Sequence, residues 1–167
     1  MRQTVLNATL ATVFAVVFAF MLTSCAGESI YYTAITENGI SYELDDNSQT
    51  ATIFRYNLQG TEGQDKLTIP ATVDANKKTY KVVAIGEKAL MKCGFKAIEL
   101  GENITRIDSE AFKQATDIKS VMIRGKILPT LAEDAFDASV YETARLYIPT
   151  GMTPTSPWDK FADIQEY

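Results

Sequence analysis

The stretch that decides the fold is IDSEAF at residues 107–112. Similar phrases stand on either side of it, IGEKAL at residues 85–90 and LAEDAF at residues 131–136. The three phrases begin at residues 85, 107 and 131, so they are 22 and 24 residues apart. A pattern that returns every 20–29 residues or so indicates a repeat protein of the leucine-rich type, in which each copy forms one structural unit.

A strand-like segment follows each phrase at a nearly constant distance. These segments are AIEL at 97–100, SVMI at 120–123 and ARLYI at 144–148. In each, two apolar residues alternate with one residue between them, as in a strand with one buried face. An earlier segment, KLTIP at 66–70, has the same form and starts the series. The longer stretch between it and the next strand contains an extra turn.

The apolar positions of the phrases predict a shared interior. Each phrase ends in a small residue followed by a large one, namely Ala89/Leu90, Ala111/Phe112 and Ala135/Phe136. One strand and one turn cannot bury their apolar side alone, so each unit must stack on its neighbour. Further along the units, Cys93, Ala115 and Ser139 fall in register and predict a buried column of small side chains.

We therefore predict a β-rich α/β solenoid, a short leucine-rich repeat array at residues 67–149 with a cap at each end. The amino-terminal cap is predicted at residues 40–66 as a β-hairpin. Its first strand alternates Ile40, Tyr42 and Leu44, the turn is DDNS at 45–48, and its second strand alternates Thr52, Phe54, Tyr56 and Leu58. A calcium loop is the alternative for this turn, but it lacks the ligand spacing and closing glutamate of such a loop.

The carboxyl-terminal cap is predicted at residues 150–167. Pro154 and Pro157 interrupt regular structure, after which Trp158, Phe161 and Ile164 recur every third residue. Trp158 is interpreted as the buried anchor of the cap. A tryptophan that stacks on a ligand is the alternative.

The stretch KTYKVVAIGEKALMKCGFKAIELGENITRIDSEAF at residues 78–112 resembles the BspA-like class of bacterial leucine-rich repeats. Units of that class read roughly Ile-Gly-x-x-Ala-Phe-x-x-Cys and then Leu-x-x-Ile-x-Ile-Pro, and the resemblance extends over about Leu67 to Tyr167. This chain departs from it with Leu90 in place of Phe, and with Ala115 and Ser139 in place of Cys. The resemblance implies a solenoid and a link with surface adhesion.

The beginning of the chain predicts export and lipid attachment. Arg2 precedes an apolar run that ends in Leu22-Thr23-Ser24-Cys25, which resembles a bacterial lipobox. That resemblance implies a signal peptide at 1–24, a lipid on Cys25 and a tether at 25–39, and Ala26 favours the outer membrane. A plain signal peptide and a membrane-spanning helix are the alternatives, but the apolar run is short for a span of about 20 residues.

Composition argues against several classes of function. The formal net charge is −5 and the chain has no histidine. An acidic chain without basic runs is a poor candidate for binding nucleic acid, which depends on neutralising phosphates. Without histidine there is neither a Ser/His/Asp nor a Cys/His catalytic set, and Cys93 alone does not make a zinc site. We expect no enzyme, no metal and no cofactor, and Cys93 is interpreted as a buried apolar residue.

What remains is a surface. If alternate strand residues are buried, the others face outward and stacking aligns them. This predicts a row of Thr68, Glu99, Met122 and Tyr147, flanked by Lys66, Arg124 and Arg145. Methionine and tyrosine side by side with arginines nearby have the composition of a contact patch. The alternative is that these residues are ordinary strand exteriors.

Two hypotheses for function follow. The first is a cell-envelope-anchored repeat protein that binds a protein or glycan ligand in adhesion. The second is an accessory lipoprotein that faces the periplasm and acts as a scaffold or inhibitor of another envelope component. The lipobox-like sequence permits both, because it does not by itself specify which side of the outer membrane the domain faces.

Overall fold

The computed structural model describes residues 18–22, 30–37, 39–57 and 64–167. In chain order the strands are β1 (Phe18–Leu22), β2 (Ile30–Glu37), β3 (Ile40–Asp45), β4 (Thr50–Tyr56), β5 (Lys66–Thr68), β6 (Thr72–Ala75), β7 (Lys78–Ile85), β8 (Ala97–Leu100), β9 (Arg106–Ile107), β10 (Ser120–Ile123), β11 (Thr130–Leu131), β12 (Arg145–Ile148) and β13 (Asp163–Glu166). Helix α1 spans Ala138–Thr143, and a 3₁₀ turn spans Trp158–Lys160. Cys25, the predicted lipid site, lies outside the described residues.

The strands form two sheets that enclose one apolar interior. The first has the order β1-β2-β3-β4-β7-β9-β11, with β6 also paired to β7, and the second has the order β13-β12-β10-β8-β5. In the second sheet every pair is parallel, and Leu67, Ile98, Val121 and Leu146 lie in register across it. Parallel neighbours of this kind are produced when successive coils stack, so the predicted solenoid is confirmed.

The repeated phrase marks the passage from the first sheet to the second. Ile85, Ile107 and Leu131, which begin the three phrases, pair with one another on β7, β9 and β11. The alanine and the large apolar residue at the end of each phrase are all buried. The rings of Phe112 and Phe136 stack with centroids 4.6 Å apart, so the predicted shared interior is confirmed.

The turns after the first two phrases stack through backbone hydrogen bonds. The N–H groups of Leu90 and Lys92 donate to the carbonyls of Ala111 and Lys113, each at 2.8 Å. The N–H of Phe112 likewise donates to the carbonyl of Ala135 at 2.8 Å. The next coil therefore supplies the acceptors for these N–H groups.

The third unit departs from the predicted column of small residues. Cys93 and Ala115 are buried as predicted, but Ser139 is exposed, so that prediction is wrong for the third position. The reason is helix α1, which begins after Asp137 and turns Val140 inward in place of Ser139. Here the Asp137 carboxylate, rather than a backbone carbonyl, accepts the N–H of Gln114 at 2.5 Å.

The predicted amino-terminal hairpin is present as the antiparallel pair β3 and β4. β2 lies within the predicted tether at 25–39 and pairs antiparallel with β3, so this part of the tether is a third strand of the same sheet. The buried face of β3 is the predicted one, but β4 buries Ala51 and Ile53 and leaves Phe54 40% exposed. The predicted alternation on β4 is therefore wrong. In the observed register Leu44 pairs with Ala51 and Tyr42 with Ile53, and directly opposed residues point to the same face.

The extra turn predicted between β5 and β8 is a second hairpin. β6 and β7 pair antiparallel around Asn76 and Lys77, which have φ of 51° and 63°. Positive φ at both central residues is the conformation of a tight hairpin turn. The added length leaves the stacking intact, because β7 continues into the same sheet position as β9.

Candidate binding face

The outward residues of the five-stranded sheet form a straight row. Thr68 pairs with Glu99, Glu99 with Met122, and Met122 with Tyr147. The inward residues that alternate with them are buried. The structure thus brings the predicted row together in register. Five strands at about 4.8 Å give a face somewhat over 20 Å across.

The sequence did not predict the fifth strand of this sheet. β13 pairs parallel with β12, so Gln165 extends the row beyond Tyr147 and Asp163 lies beside Arg145. The only apolar residue of β13 is Ile164, which pairs with Leu146. One apolar residue shows no alternation, and the three-residue spacing of Trp158, Phe161 and Ile164 indicates a cap rather than a strand.

Trp158 has the position predicted for an anchor. Its side chain is 2% exposed, and its indole N–H donates to the carbonyl of Pro129 at 2.7 Å. Phe161 is buried beside it, with ring centroids 6.1 Å apart. The ring of Trp158 presents no open surface on which a ligand can stack.

Glu99 is at the centre of an ionic cluster on the face. It lies between Lys66, with which it forms an ion pair, and Arg124, whose Nε is 2.6 Å from Oε1 of Glu99. The hydrogen bond from Lys66, followed by that from Arg124, holds the pKa of the Glu99 carboxyl below its usual value. Glu99 in turn raises the pKa of Arg124. Both cations are therefore already occupied by a carboxylate.

Arg145 is held in a similar way at the other end of the face. Its Nε is 2.5 Å from Oδ2 of Asp163, and its Nη1 donates to the Tyr147 hydroxyl at 3.3 Å. The guanidinium carbon also lies 5.9 Å from the centroid of the Tyr147 ring. The hydroxyl and the carboxylate together raise the pKa of Arg145. The Tyr147 ring therefore lies beside the Arg145 guanidinium.

Met122 and Tyr147 form a shallow apolar centre between the two ionic groups. Both are half-buried, and Ala97 and Ser120, the outward residues of the adjoining row, are small.

Tyr167 adds an aromatic residue that the sequence did not single out. Its hydroxyl donates to the carbonyl of Ile123 at 2.8 Å, and the Arg124 guanidinium lies 5.6 Å from its ring centroid. It follows β13 directly, so the failure to predict that strand also concealed this residue.

A groove lies on another side of the molecule, where the loops after β8 and β10 meet β7. It encloses about 620 Å³ and is lined by Lys81, Val83, Glu102, Asn103, Ile104, Thr105, Lys126, Ile127, Leu128 and Thr130. Ile127 is 81% exposed on its rim. Unlike the cations of the face, Lys81 and Lys126 form no ion pair with any residue that the structure describes.

The carboxylates of the hairpin turn and the Cys93 thiol, the other candidates for a chemical role, have structural roles. Asp45 accepts the Asn47 N–H at 2.8 Å, and Asp46 binds Lys78 and Tyr80, so these carboxylates belong to the hairpin turn rather than to a calcium loop. Burial raises the pKa of the Cys93 thiol to about 11, which keeps it protonated.

The acidic residues that recur with the phrase are at a charged edge. Glu87 and Glu110 both pair with Lys88, and Glu133 pairs with Lys160. Among the helices of the described residues, none is long and apolar enough to span a membrane.

Comparisons with known proteins agree with this architecture. A family model described as the BspA type leucine rich repeat region, with six copies, matches residues 41–157. A crystal structure of a leucine-rich repeat protein from Bacteroides capillosus is similar, with 21% identity, a TM-score of 0.57 and coverage of 80% of this chain and 98% of that one.

A second similar structure is that of a leucine rich cell surface protein from Faecalibacterium prausnitzii. It has 23% identity and a TM-score of 0.54, and the match covers 72% of this chain but 38% of that one. At these identities the likeness concerns the fold. The comparison with curated proteins gave no significant match.

Proposed function

Because the chain belongs to the BspA-type leucine-rich repeat family, we propose that it is a non-catalytic binding protein of the bacterial cell envelope. We assign the contact to the outward face of the five-stranded sheet and call it the strand face. It comprises Thr68, Glu99, Met122, Arg124, Arg145, Tyr147, Gln165 and Tyr167. The lipobox-like sequence ending in Cys25 supports attachment to the membrane, with the domain displayed for adhesion.

The main support for this proposal is the pair Met122 and Tyr147, which is flanked by cations that are already paired with carboxylates of the same chain. A tyrosine that already contacts Arg145 in the free protein loses less conformational freedom when a partner binds, which favours affinity. Aromatic and methionine side chains are enriched in interface cores, whereas paired charges are typical of the rim. The strand face has this arrangement within a single layer of side chains.

The charges favour a protein ligand over an acidic glycan. Lys66 and Arg124 share Glu99, and Arg145 binds Asp163. A polyanion would have to displace these carboxylates and would meet their repulsion. A neutral loop that packs an apolar side chain over Met122 and Tyr147 leaves the ion pairs intact.

The test is a pull-down with the processed protein, the Met122→Ala/Tyr147→Ala variant and a matched control. Phe54→Ala/Met91→Ala removes the same two kinds of side chain at positions that are each 40% exposed and lie off the strand face. We expect a protein that wild type and control retain and the face variant loses. Equal retention by all three contradicts the strand face, and retention on sulfated polysaccharide alone contradicts a protein ligand.

Proteolysis of intact cells tests the location separately. A domain displayed for adhesion is cleaved by added protease, with a periplasmic protein as the protected control. A protected domain favours the accessory role facing the periplasm.

A further inference from the structure

The edge of the eight-stranded sheet changes when the predicted signal peptide is removed. β1 is its outermost strand and pairs antiparallel with β2 through five residue pairs, from Phe18 with Ala34 to Leu22 with Ile30. All of β1 lies within residues 1–24. Cleavage before Cys25 therefore removes the whole strand and makes β2 the edge.

β2 lacks the features that protect exposed edge strands. Its sequence, IYYTAITE, contains no proline, glycine or lysine, and its only charge is Glu37 at the end. Natural edges are usually blunted by lysine, proline or a bulge, because their unpaired N–H and C=O groups accept another strand. The β-branched and aromatic residues of β2 favour such pairing.

We propose that the mature protein forms a dimer in which β2 pairs antiparallel with β2 of a second copy. This rests on the proposed processing at Cys25. The edge accepts an antiparallel strand, since β1 already pairs there in that sense. Two identical strands that pair antiparallel are related by a two-fold axis, so the assembly closes at two copies.

The anchor favours this dimer. Cys25 is five positions before Ile30, so the lipid keeps the β2 strands of all copies at one height above the membrane. Confinement of this kind raises the effective concentration of the two edges. In an antiparallel pair the two anchors leave from opposite ends of an eight-residue strand, about 27 Å apart, and both reach one bilayer when the strands lie along it.

Cross-linking of the full chain in its own membrane tests the proposal. Thr33→Cys and Ala34→Cys are each made in a Cys93→Ala background, with Cys25 kept for lipid attachment. Neighbouring strand residues point to opposite faces, so the two variants cover both sides of the sheet. Glu142→Cys, at an exposed position of α1, is the matched control. A short bismaleimide is added, and mass spectrometry establishes the amino terminus.

We expect a covalent dimer with at least one β2 cysteine, at least fivefold above the Glu142→Cys control. A cleaved chain that cross-links no better than the control overturns the dimer but not the binding function. A cross-link to a different protein overturns the second copy as occupant. A chain that retains residues 1–24 overturns both the processing and the dimer.

Discussion

The inside and the outside of this solenoid are built by the same stacking but constrained differently. Leu90, Phe112 and Phe136 stack within the core, and Met122 and Tyr147 stack on the strand face one coil apart. The inner positions retain size and apolarity because each fills the space left by its neighbour. The outer positions share only their register. The core residues therefore determine the fold, whereas the residues of the strand face can differ from coil to coil and determine binding specificity.

The largest difference is expected from a deletion in the core. Phe112→Ala leaves a cavity beside the ring of Phe136, which stacks on it at 4.6 Å. We expect the free energy of unfolding to fall by about 3–5 kcal/mol, measured by chemical denaturation. Phe112→Leu, which restores the residue type of Leu90, is the control and should lose about half as much. Equal losses would mean that volume is not what the position requires.

A smaller loss of stability is expected when a polar group in the core is removed. Trp158→Phe leaves the buried carbonyl of Pro129 without the indole N–H that donates to it at 2.7 Å. An unsatisfied buried acceptor costs about 1–3 kcal/mol. Because the smaller benzene ring also leaves part of the indole volume empty, the free energy of unfolding should fall by at least about 1 kcal/mol. Thermal denaturation of the variant checks it, and an unchanged midpoint would show that the hydrogen bond does not hold the cap.

The sequence predicted the interior more completely than the surface because only the interior repeats. The alternation that buries Ile98 and Val121 also places Glu99 and Met122 outward, so the row followed from the core pattern. The prediction for Ser139 is wrong because stacking tolerates a local helix when Asp137 replaces a backbone acceptor. Equivalence of position did not guarantee equivalence of backbone.

The ion pairs on the strand face could not be predicted from the sequence, for a different reason. Glu99 contacts Lys66 and Arg124 because long side chains reach from one coil to the next. The paired strand residues of these coils are 31 and 23 positions apart in the sequence, and the repeat pattern does not determine which side chains meet. The sequence does not predict β13, because a strand with a single apolar residue shows no alternation. Its contributions, Asp163 and Gln165, change the face from four strands to five.

Acid should reduce the stability that the ion pairs of Glu99 contribute. The pKa of its carboxyl is lowered by Lys66 first and then Arg124, so its stabilising effect is complete above the usual glutamate pKa and lost as the pH falls through the lowered value. We expect Glu99→Gln to lower the free energy of unfolding by up to about 1 kcal/mol near neutral pH, and by less in acid. Denaturation at about pH 6 and about pH 3 measures this.

Glu142→Gln serves as the control for that experiment, since Glu142 is exposed on α1 and has no ion pair within the described part of the chain. Its stability should follow the wild type at both pH values. If Glu99→Gln is as acid-sensitive as the wild type, the ionic cluster contributes nothing to folding, and the charges on the face concern recognition alone.

The smallest change is expected from Tyr147→Phe, the outer counterpart of Trp158→Phe. Trp158→Phe removes a buried hydrogen-bond donor together with part of the indole ring, whereas Tyr147→Phe removes only a surface hydroxyl that accepts from Arg145 at 3.3 Å. Arg145 retains Asp163 and its position over the ring, so the free energy of unfolding should stay within about 0.5 kcal/mol of the wild type. Denaturation of the two variants side by side measures the contrast. A loss as large as that of Trp158→Phe would show that the strand face is structural, because a position that stability already constrains is not free to be shaped by a partner.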